Sequence, residues 1–172
     1  MLRREGGFTL IEITLVLFIL GLMAAVVFPR IPNVGGGNFK KEARTLSGFI
    51  GGLYAEATFS RRMHRLVIDL DSQRYWGEFA PDVEKRTDYQ PLESSFLKPV
   101  RLPSGVRVVD VQEPSRGKRH DGRAFAHFHP LGRAELVLIH LEDSDGEELT
   151  LQVNPFSGGV KVLEGYVELQ LG

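Results

Sequence analysis

The chain has no cysteine among its 172 residues. This absence excludes disulfide bonds, thiolate metal sites and cysteine nucleophiles, so a folded domain in this chain depends on its hydrophobic core. An excess of charge of one sign is also absent, because 21 Lys and Arg residues against 22 Asp and Glu residues leave a formal net charge of −1. A near-neutral chain gives no electrostatic reason to expect nucleic acid or an anionic lipid surface as the main partner.

Sequence motifs of enzymes are missing as well. The chain contains no G-x-S-x-G and no H-E-x-x-H, and the glycines at positions 35–37 lack the lysine and hydroxyl residue of a phosphate-binding loop. His127 and His129 would lie on one face of a strand, but no third metal ligand follows at a suitable spacing. We therefore predict a protein that is not an enzyme and that uses neither a metal nor another cofactor.

One long apolar segment dominates the N-terminal part of the chain. Residues 8–28, FTLIEITLVLFILGLMAAVVF, carry Glu12 as their single charge. As a helix this segment is roughly 30 Å long, which is the thickness of the hydrocarbon core of a bilayer. Arg3 and Arg4 precede it, and positive charge on that side favours a cytoplasmic N-terminus. The segment predicts a membrane helix with the C-terminal domain on the opposite side of the membrane.

Two ordinary interpretations of this segment account for it incompletely. A secretory signal cut after the Ala24-Ala25 pair would have an apolar core of only about 7–15 residues and no carboxylate. A plain uncleaved anchor would leave Glu12 unexplained, because a carboxylate at mid-membrane costs about 2.5–3.5 kcal/mol, a cost that is reduced near the end of the helix.

A third interpretation rests on residues 7–12, GFTLIE, which follow a short basic leader. This segment closely resembles the processing site of the type IV pilin and pseudopilin superfamily. The resemblance implies cleavage between Gly7 and Phe8 by a prepilin peptidase, N-methylation of Phe8, and a role in assembly for Glu12. A glycine before the cut lets a protease approach the backbone closely, and cleavage exposes an α-amine. The resemblance implies that this amine pairs with the Glu12 carboxylate of a neighbouring subunit.

Further features of the same superfamily follow along the chain. Gly21 and Pro29 fall where such subunits commonly carry a helix-softening glycine and proline, so both are expected to break or bend the helix. Pro29, Pro32 and the glycines at positions 35–37 should end the apolar helix, and a second helix should begin at Asn38 as N-cap.

The second helix is predicted to be amphipathic. Apolar residues recur from Phe39 to Ala57 at spacings of three and four, which is typical of a helix with one buried face. Gly48, Gly51 and Gly52 lie within it, and we interpret them as places where the helix packs closely on a sheet.

After Arg65 the apolar period changes to two. Residues 66–79 are typical of a β-hairpin, residues 80–104 of a long loop, and six further strands are expected at 106–112, 124–128, 135–141, 148–153, 160–163 and 166–171. One helix followed by about eight strands predicts the α+β class, with a long N-terminal helix, half membrane-spanning and half amphipathic, packed on antiparallel sheets. The expected divisions are a leader at 1–7, the membrane and assembly helix at 8–29, a break at 30–37 and a periplasmic domain at 38–172.

The folded part is similar to a particular subclass of the superfamily. The stretches RRMHRLVIDLD…RYWGE and FHPLGRAELVLIHLEDSDGEELTLQVNPFSGGVKV resemble the minor pseudopilins usually called general secretion pathway protein H. The resemblance implies a single-pass protein of the bacterial inner membrane, at or near the tip of a type II secretion pseudopilus. It implies as partners the other major and minor pseudopilins, the prepilin peptidase and the inner-membrane assembly platform.

A minor pilin of a type IV pilus, engaged in assembly, adhesion or DNA uptake, is the alternative. A basic loop that contains Arg116, Lys118 and Arg119 could contact phosphates in that case. The near-neutral charge and the lack of aromatic residues interleaved with the loop's cations make nucleic acid an unlikely partner.

Overall fold

A computed structural model describes residues 10–27, 36–82 and 88–168. The chain divides into two compact units, Met1–Val34 and Gly35–Gly172. Gly7, Phe8 and Pro29, which the sequence singles out for processing and for a helix break, lie outside the described residues.

The first unit contains helix α1, Leu10–Val27. Its side chains from position 10 to position 23 are exposed, and apolar ones occur on every side of the helix. Helical structure continues on both sides of Gly21, where an added Cβ would meet nothing within 4 Å. Within the described residues, no helix combines the length and the apolarity needed to cross a membrane.

The second unit opens with helix α2, Gly36–Ser60. The helix begins two residues before Asn38, so the predicted N-cap at Asn38 is wrong. Glycine is costly inside a helix but is tolerated in a first turn, where the backbone N–H groups lack helical partners in any case. The predicted spacing of apolar residues is confirmed, since one face of the helix is buried at Phe39, Ala43, Leu46, Ile50, Leu53 and Ala57.

Eleven β-strands follow in the described residues. They are β1 His64–Asp69, β2 Arg74–Phe79, β3 Gln90–Pro91, β4 Val100–Arg101, β5 Val106–Glu113, β6 Gly117–Arg119, β7 Arg123–His129, β8 Arg133–Ala134, β9 Leu138–Asp143, β10 Glu148–Val153 and β11 Val160–Glu164. The first sheet has the order β3-β2-β1-β7-β8, with β4 also paired to β2, and the second has the order β11-β10-β9-β5-β6. Every strand pair is antiparallel, so the predicted α+β class is confirmed.

The buried face of α2 packs on one side of these sheets. Leu66 and Ile68 of β1 point toward the helix together with Tyr75 of β2, and all three are buried. The ring of Phe49 meets that of Tyr75 edge-on at 5.1 Å, and the Tyr75 hydroxyl donates a hydrogen bond of 3.1 Å to Glu42 Oε1. This bond gives the buried end of Tyr75 a partner where an unpaired hydroxyl would be costly.

A second tyrosine fastens the C-terminal half of α2 to two turns. The Tyr54 hydroxyl donates to the carbonyl oxygens of Gly132 at 3.0 Å and Phe156 at 3.2 Å. Its ring lies against the backbone of Gly158, whose φ is +61°. A side chain at position 158 would overlap that ring, so the close approach and the left-handed backbone both require glycine.

Three predictions about loops and strands need correction. The stretch 80–104 was expected to be a loop, but it contributes the two short strands β3 and β4 to the edge of the first sheet. Two further short strands, β6 and β8, were not expected. The strand predicted at 166–171 is wrong for its described part, because residues 166–168 are not in a strand and pair with side chains on the second sheet.

Candidate assembly and interaction sites

Glu12 lies in the first turn of α1 as its acidic residue. Carboxylates at this end of a helix are favoured by the helix dipole and the unpaired N–H groups. Close by on the same helix, the Thr14 hydroxyl donates to the carbonyl oxygen of Leu10 at 2.7 Å. The Thr14 hydroxyl therefore already has a hydrogen-bond partner within the helix. Glu12 is the ionisable side chain with which this exposed apolar helix can pair with another molecule.

The basic loop is held by acidic side chains of its own unit. Arg116 pairs with Glu113 at 3.2 Å, and Lys118 Nζ pairs with Glu168 Oε1 at 2.6 Å. The hydrogen bond from Lys118 to Glu168 raises the pKa of Lys118, and a further hydrogen bond to Tyr166 acts in the same direction. Two of the three cations named for contact with nucleic acid are thus paired with carboxylates, although the Arg116 side chain remains 50% exposed, and Arg119 is exposed at the end of β6.

A polar stripe crosses the outer face of the second sheet, where the sequence suggested no site. Asp110, His140 and Thr150 lie side by side on β5, β9 and β10, and each is almost completely buried. The segment Tyr166–Glu168 covers them. The Tyr166 ring stacks on the His140 ring with centroids 3.9 Å apart.

Hydrogen bonds join this segment to the stripe at every polar position. The Tyr166 hydroxyl donates to Asp110 Oδ2 at 2.7 Å, and His140 Nε2 lies 2.8 Å from the carbonyl oxygen of Val167. The backbone N–H of Val167 donates to Thr150 Oγ1 at 2.9 Å. Burial raises the pKa of Tyr166, and its hydrogen bond to Asp110 acts the same way. The stripe therefore fastens the C-terminal segment to the sheet.

The histidine–aspartate pair in the stripe does not form an active site. His140 Nδ1 faces Asp110 and Nε2 faces a backbone carbonyl, so neither ring nitrogen is available to take a proton from a substrate. The covering residues also close the pair off from solvent, with His140 and Asp110 each 1% exposed. The arrangement is suited to holding a chain segment in place.

His127 and His129 contact groups of their own unit. His127 Nδ1 lies 2.7 Å from Glu135 Oε2, and this hydrogen bond holds the pKa of Glu135 below its usual value. His129 Nδ1 accepts a bond of 3.2 Å from the backbone N–H of Leu131. No group of three or more side chains capable of binding a metal occurs among the described residues.

Sequence reasoning missed the stripe because its members lie far apart along the chain. Asp110, His140 and Thr150 become neighbours only through strand register. One signal was present: His140 and Thr150 occupy positions within strongly apolar strands, where a polar residue needs a partner.

The second unit is a helix laid on antiparallel sheets, and the first unit contains an apolar helix. Residues 2–28 match the prokaryotic N-terminal methylation motif, the motif of prepilin-type proteins. No curated protein sequence matches the chain.

Two solved structures are similar in fold, and both are of the minor pseudopilin EpsH from the type 2 secretion system of Vibrio cholerae. The first superposes with a TM-score of 0.55 at 15% identity and covers 73% of this chain and 96% of that one. The second has a TM-score of 0.59 at 15% identity and covers 76% and 96%. The chain thus combines the N-terminal methylation motif with the fold of a minor pseudopilin.

Proposed function

We propose that this chain is a minor pseudopilin, a structural subunit at or near the tip of a type II secretion pseudopilus that supports protein export. One observation carries the proposal: the methylation motif at residues 2–28 occurs in the same chain as an EpsH-like fold. Either feature alone would be weaker evidence for this function, because the motif is common to pilins and pseudopilins and because one fold is compatible with several functions.

Processing and anchoring follow from the same proposal. The prepilin peptidase cuts between Gly7 and Phe8, and Phe8 becomes the methylated N-terminus. Residues 8–29 hold the subunit in the inner membrane with residues 38–172 in the periplasm. Other pseudopilins then pack against the exposed apolar side chains of α1, and Glu12 pairs with the terminal amine of a neighbour.

Pairing of Glu12 with an amine is physically reasonable. The α-amine has an ordinary pKa of about 7.7–8.0 and is therefore largely protonated at neutral pH. In an apolar bundle of helices, an ammonium and a carboxylate that face each other compensate each other's charge, whereas either one alone would be buried without a partner. The best-attested role of such buried polar pairs is to fix the register between helices. The pair thus sets the axial position of one subunit relative to the next.

The experiment that tests the proposal is the mass of the N-terminus after expression with and without a prepilin peptidase. We expect a peptidase-dependent loss of residues 1–7 and a further mass of one methyl group on Phe8. An intact N-terminus in the presence of the peptidase, or a cut after Ala25, would contradict the proposal. Deletion of the chain from its host should then reduce export of secreted proteins.

A further inference from the structure

The outer face of the first sheet, on the side away from α2, carries an unusual row of arginines. Strand register places Arg101 of β4 opposite Arg74 of β2, Arg74 opposite Asp69 of β1, and Asp69 opposite Arg123 of β7. Residues directly opposite in antiparallel strands point to the same side, at about 4.5–5.5 Å between Cα atoms. Three arginines and a single carboxylate therefore follow one another across four strands. We call these four residues the arginine row.

The arginine row is accessible and has an excess of positive charge. All three of its arginines are exposed, and the Arg123 side chain is 60% exposed although its Nε lies 3.6 Å from Asp69 Oδ2. A hydrogen bond from the backbone N–H of Ser72, with help from Arg123, holds the pKa of Asp69 below its usual value. Asp69 thus stays ionised and offsets one of the three positive charges.

This arrangement is costly for the isolated subunit. Like charges directly opposite each other in antiparallel strands destabilise a sheet, and Arg74 and Arg101 form such a pair. The nearby carboxylate of Asp71, beyond the row, lies in the turn and accepts a hydrogen bond from the backbone N–H of Gly122 at 3.2 Å. A partner that brings carboxylates to the row would remove the repulsion.

An apolar and aromatic row lies next to the arginine row on the same face. Val67 is opposite Trp76 and Phe125, and Val67 is only 1% exposed. The two rings remain partly exposed beside it. Arginine and aromatic residues are the types enriched in the cores of protein–protein interfaces, so the face combines charge for recognition with apolar area for affinity.

The rings are poorly placed to bind nucleic acid bases. The Arg123 guanidinium lies 5.3 Å from the centroid of the Trp76 ring, and the Arg65 guanidinium lies 4.5 Å from that of Phe125. Stacking on single-stranded nucleic acid uses free ring faces, and each of these cations covers one face of its ring. Planar guanidinium groups on a rigid sheet are instead well suited to two-point binding of carboxylates.

We propose that the arginine row and the Trp76–Phe125 surface beside it form a docking site for a carboxylate-bearing face of a partner protein. The proposal rests on the proposed function, since a fibre subunit must contact protein neighbours. It adds the chemistry of one contact: the neighbour presents at least two Asp or Glu side chains about one strand spacing apart, beside an apolar group.

The test measures binding of the full chain, in an uncharged detergent, to a fluorescent peptide of ten glutamates and to a dT oligonucleotide of ten nucleotides. The test variant combines Arg74→Gln, Arg101→Gln and Arg123→Gln. The matched control combines Arg44→Gln, Arg119→Gln and Arg133→Gln, which are exposed arginines outside the row. Thermal unfolding of both variants verifies that they are folded.

We expect the peptide to bind the unmodified chain at low salt, about tenfold or more weakly to the test variant, and almost unchanged to the control. Tighter binding of the oligonucleotide, equal losses in both variants, or no binding of the peptide would each overturn the proposal. The measurement does not depend on cleavage after Gly7. Failure of this docking site and failure of the pseudopilin proposal therefore give separate results.

Discussion

The imidazole of His140 faces the carboxylate of Asp110 across two neighbouring strands, with 2.7 Å between Nδ1 and Oδ1. Tyr166 and Val167 complete the hydrogen bonding of both groups from the other side. This relationship makes the C-terminal segment part of the folded unit, although it pairs with no strand in its described residues.

Replacing Asp110 with asparagine is expected to loosen this segment. The Asp110→Asn side chain keeps the shape but loses the charge that strengthens two buried hydrogen bonds, which are worth about 1.5–3 kcal/mol each when one partner is ionised. We expect the free energy of unfolding to fall by about 1–3 kcal/mol. Urea unfolding followed by the fluorescence of the single tryptophan measures this change.

Hydrogen exchange at the Val167 amide, which donates to Thr150, reports on the segment directly and should accelerate in the variant. The control is Asp145→Asn in the exposed β9–β10 turn, where a change within about 0.5 kcal/mol is expected. Unchanged stability together with unchanged exchange at Val167 would show that the Asp110 charge does not fasten the segment.

Gly158→Ala is expected to be among the most destabilising single-methyl additions in the chain. The new Cβ would overlap the Tyr54 ring, and the backbone at position 158 is left-handed. Left-handed strain costs about 1–2 kcal/mol and overpacking about 1–3 kcal/mol. The melting temperature should fall accordingly.

Gly146→Ala separates these two costs. Gly146 also has a positive φ, +82°, but an added Cβ there meets nothing within 4 Å. It should show the backbone cost alone, about 1–2 kcal/mol. Equal losses for the two variants would mean that the Tyr54 ring moves aside freely.

Residues such as Gly158 and Gly51 mark the limits of prediction from sequence. Close packing on a sheet was expected for Gly48, Gly51 and Gly52. An added Cβ at Gly52 would lie 2.7 Å from Leu97 Cδ2, so the helix is closely packed there, but against the segment between β3 and β4 rather than a strand, whereas Gly48 and Gly51 meet nothing within 4 Å. Periodicity identifies the buried face of a helix but not which neighbour covers each position. The Gly158 contact depends on a turn far along the chain from Tyr54.

The strands likewise include some that the sequence predicts and some that it does not. The strands β1 and β2 agree with the hairpin predicted over residues 66–79, because a polar turn separates two segments rich in apolar residues. The strands β3 and β4, each two residues long, are too short to show a period. A strand was predicted over residues 166–171, but the described part, Tyr166–Glu168, is instead held by hydrogen bonds to the buried Asp110, His140 and Thr150 side chains. The arginine row depends on register across four strands and has no signal in the sequence.

Gly51→Ala is expected to stabilise the folded domain. Alanine is favoured over glycine inside a helix by about 0.5–1 kcal/mol, mainly because it restricts the unfolded chain. Space is available at position 51. Thermal unfolding should show an increase in melting temperature.

Gly52→Ala is the matched comparison within the same helix. It gains the same backbone effect but must displace Leu97, so it should be less stable than Gly51→Ala. A ranking in the opposite order would contradict the packing of α2 described above.

His64 should make the domain sensitive to mild acid. The side chain is 1% exposed, and burial lowers its pKa, although the bond to the Arg62 carbonyl oxygen opposes this change. In the unfolded chain the group titrates near its ordinary value of about 6.5. Below that pH the unfolded state binds more protons than the folded state, so stability falls as the pH falls.

The variant His64→Gln removes this group, and the difference in unfolding free energy between the two proteins should depend on pH between roughly 7.5 and 5. His129→Gln serves as the control, because His129 is less buried. A difference that stays constant over this range would show that His64 does not contribute to the acid sensitivity.

Glu12→Ala is expected to separate membrane insertion from assembly. Removing the carboxylate makes the apolar segment more hydrophobic, so insertion into the membrane should be retained. Cleavage between Gly7 and Phe8 should also be retained, because Glu12 is not one of the two residues joined by the bond that is cut. Assembly should fail, since the terminal amine of a neighbour would lose its partner. Cleavage is read from the N-terminal mass, and assembly from crosslinking to other pseudopilins and from export of secreted proteins.

Glu12→Asp keeps the charge on a shorter side chain and should restore assembly in part. Normal export by Glu12→Ala would contradict the proposal that Glu12 sets the axial register. Loss of cleavage would show instead that the peptidase recognises Glu12.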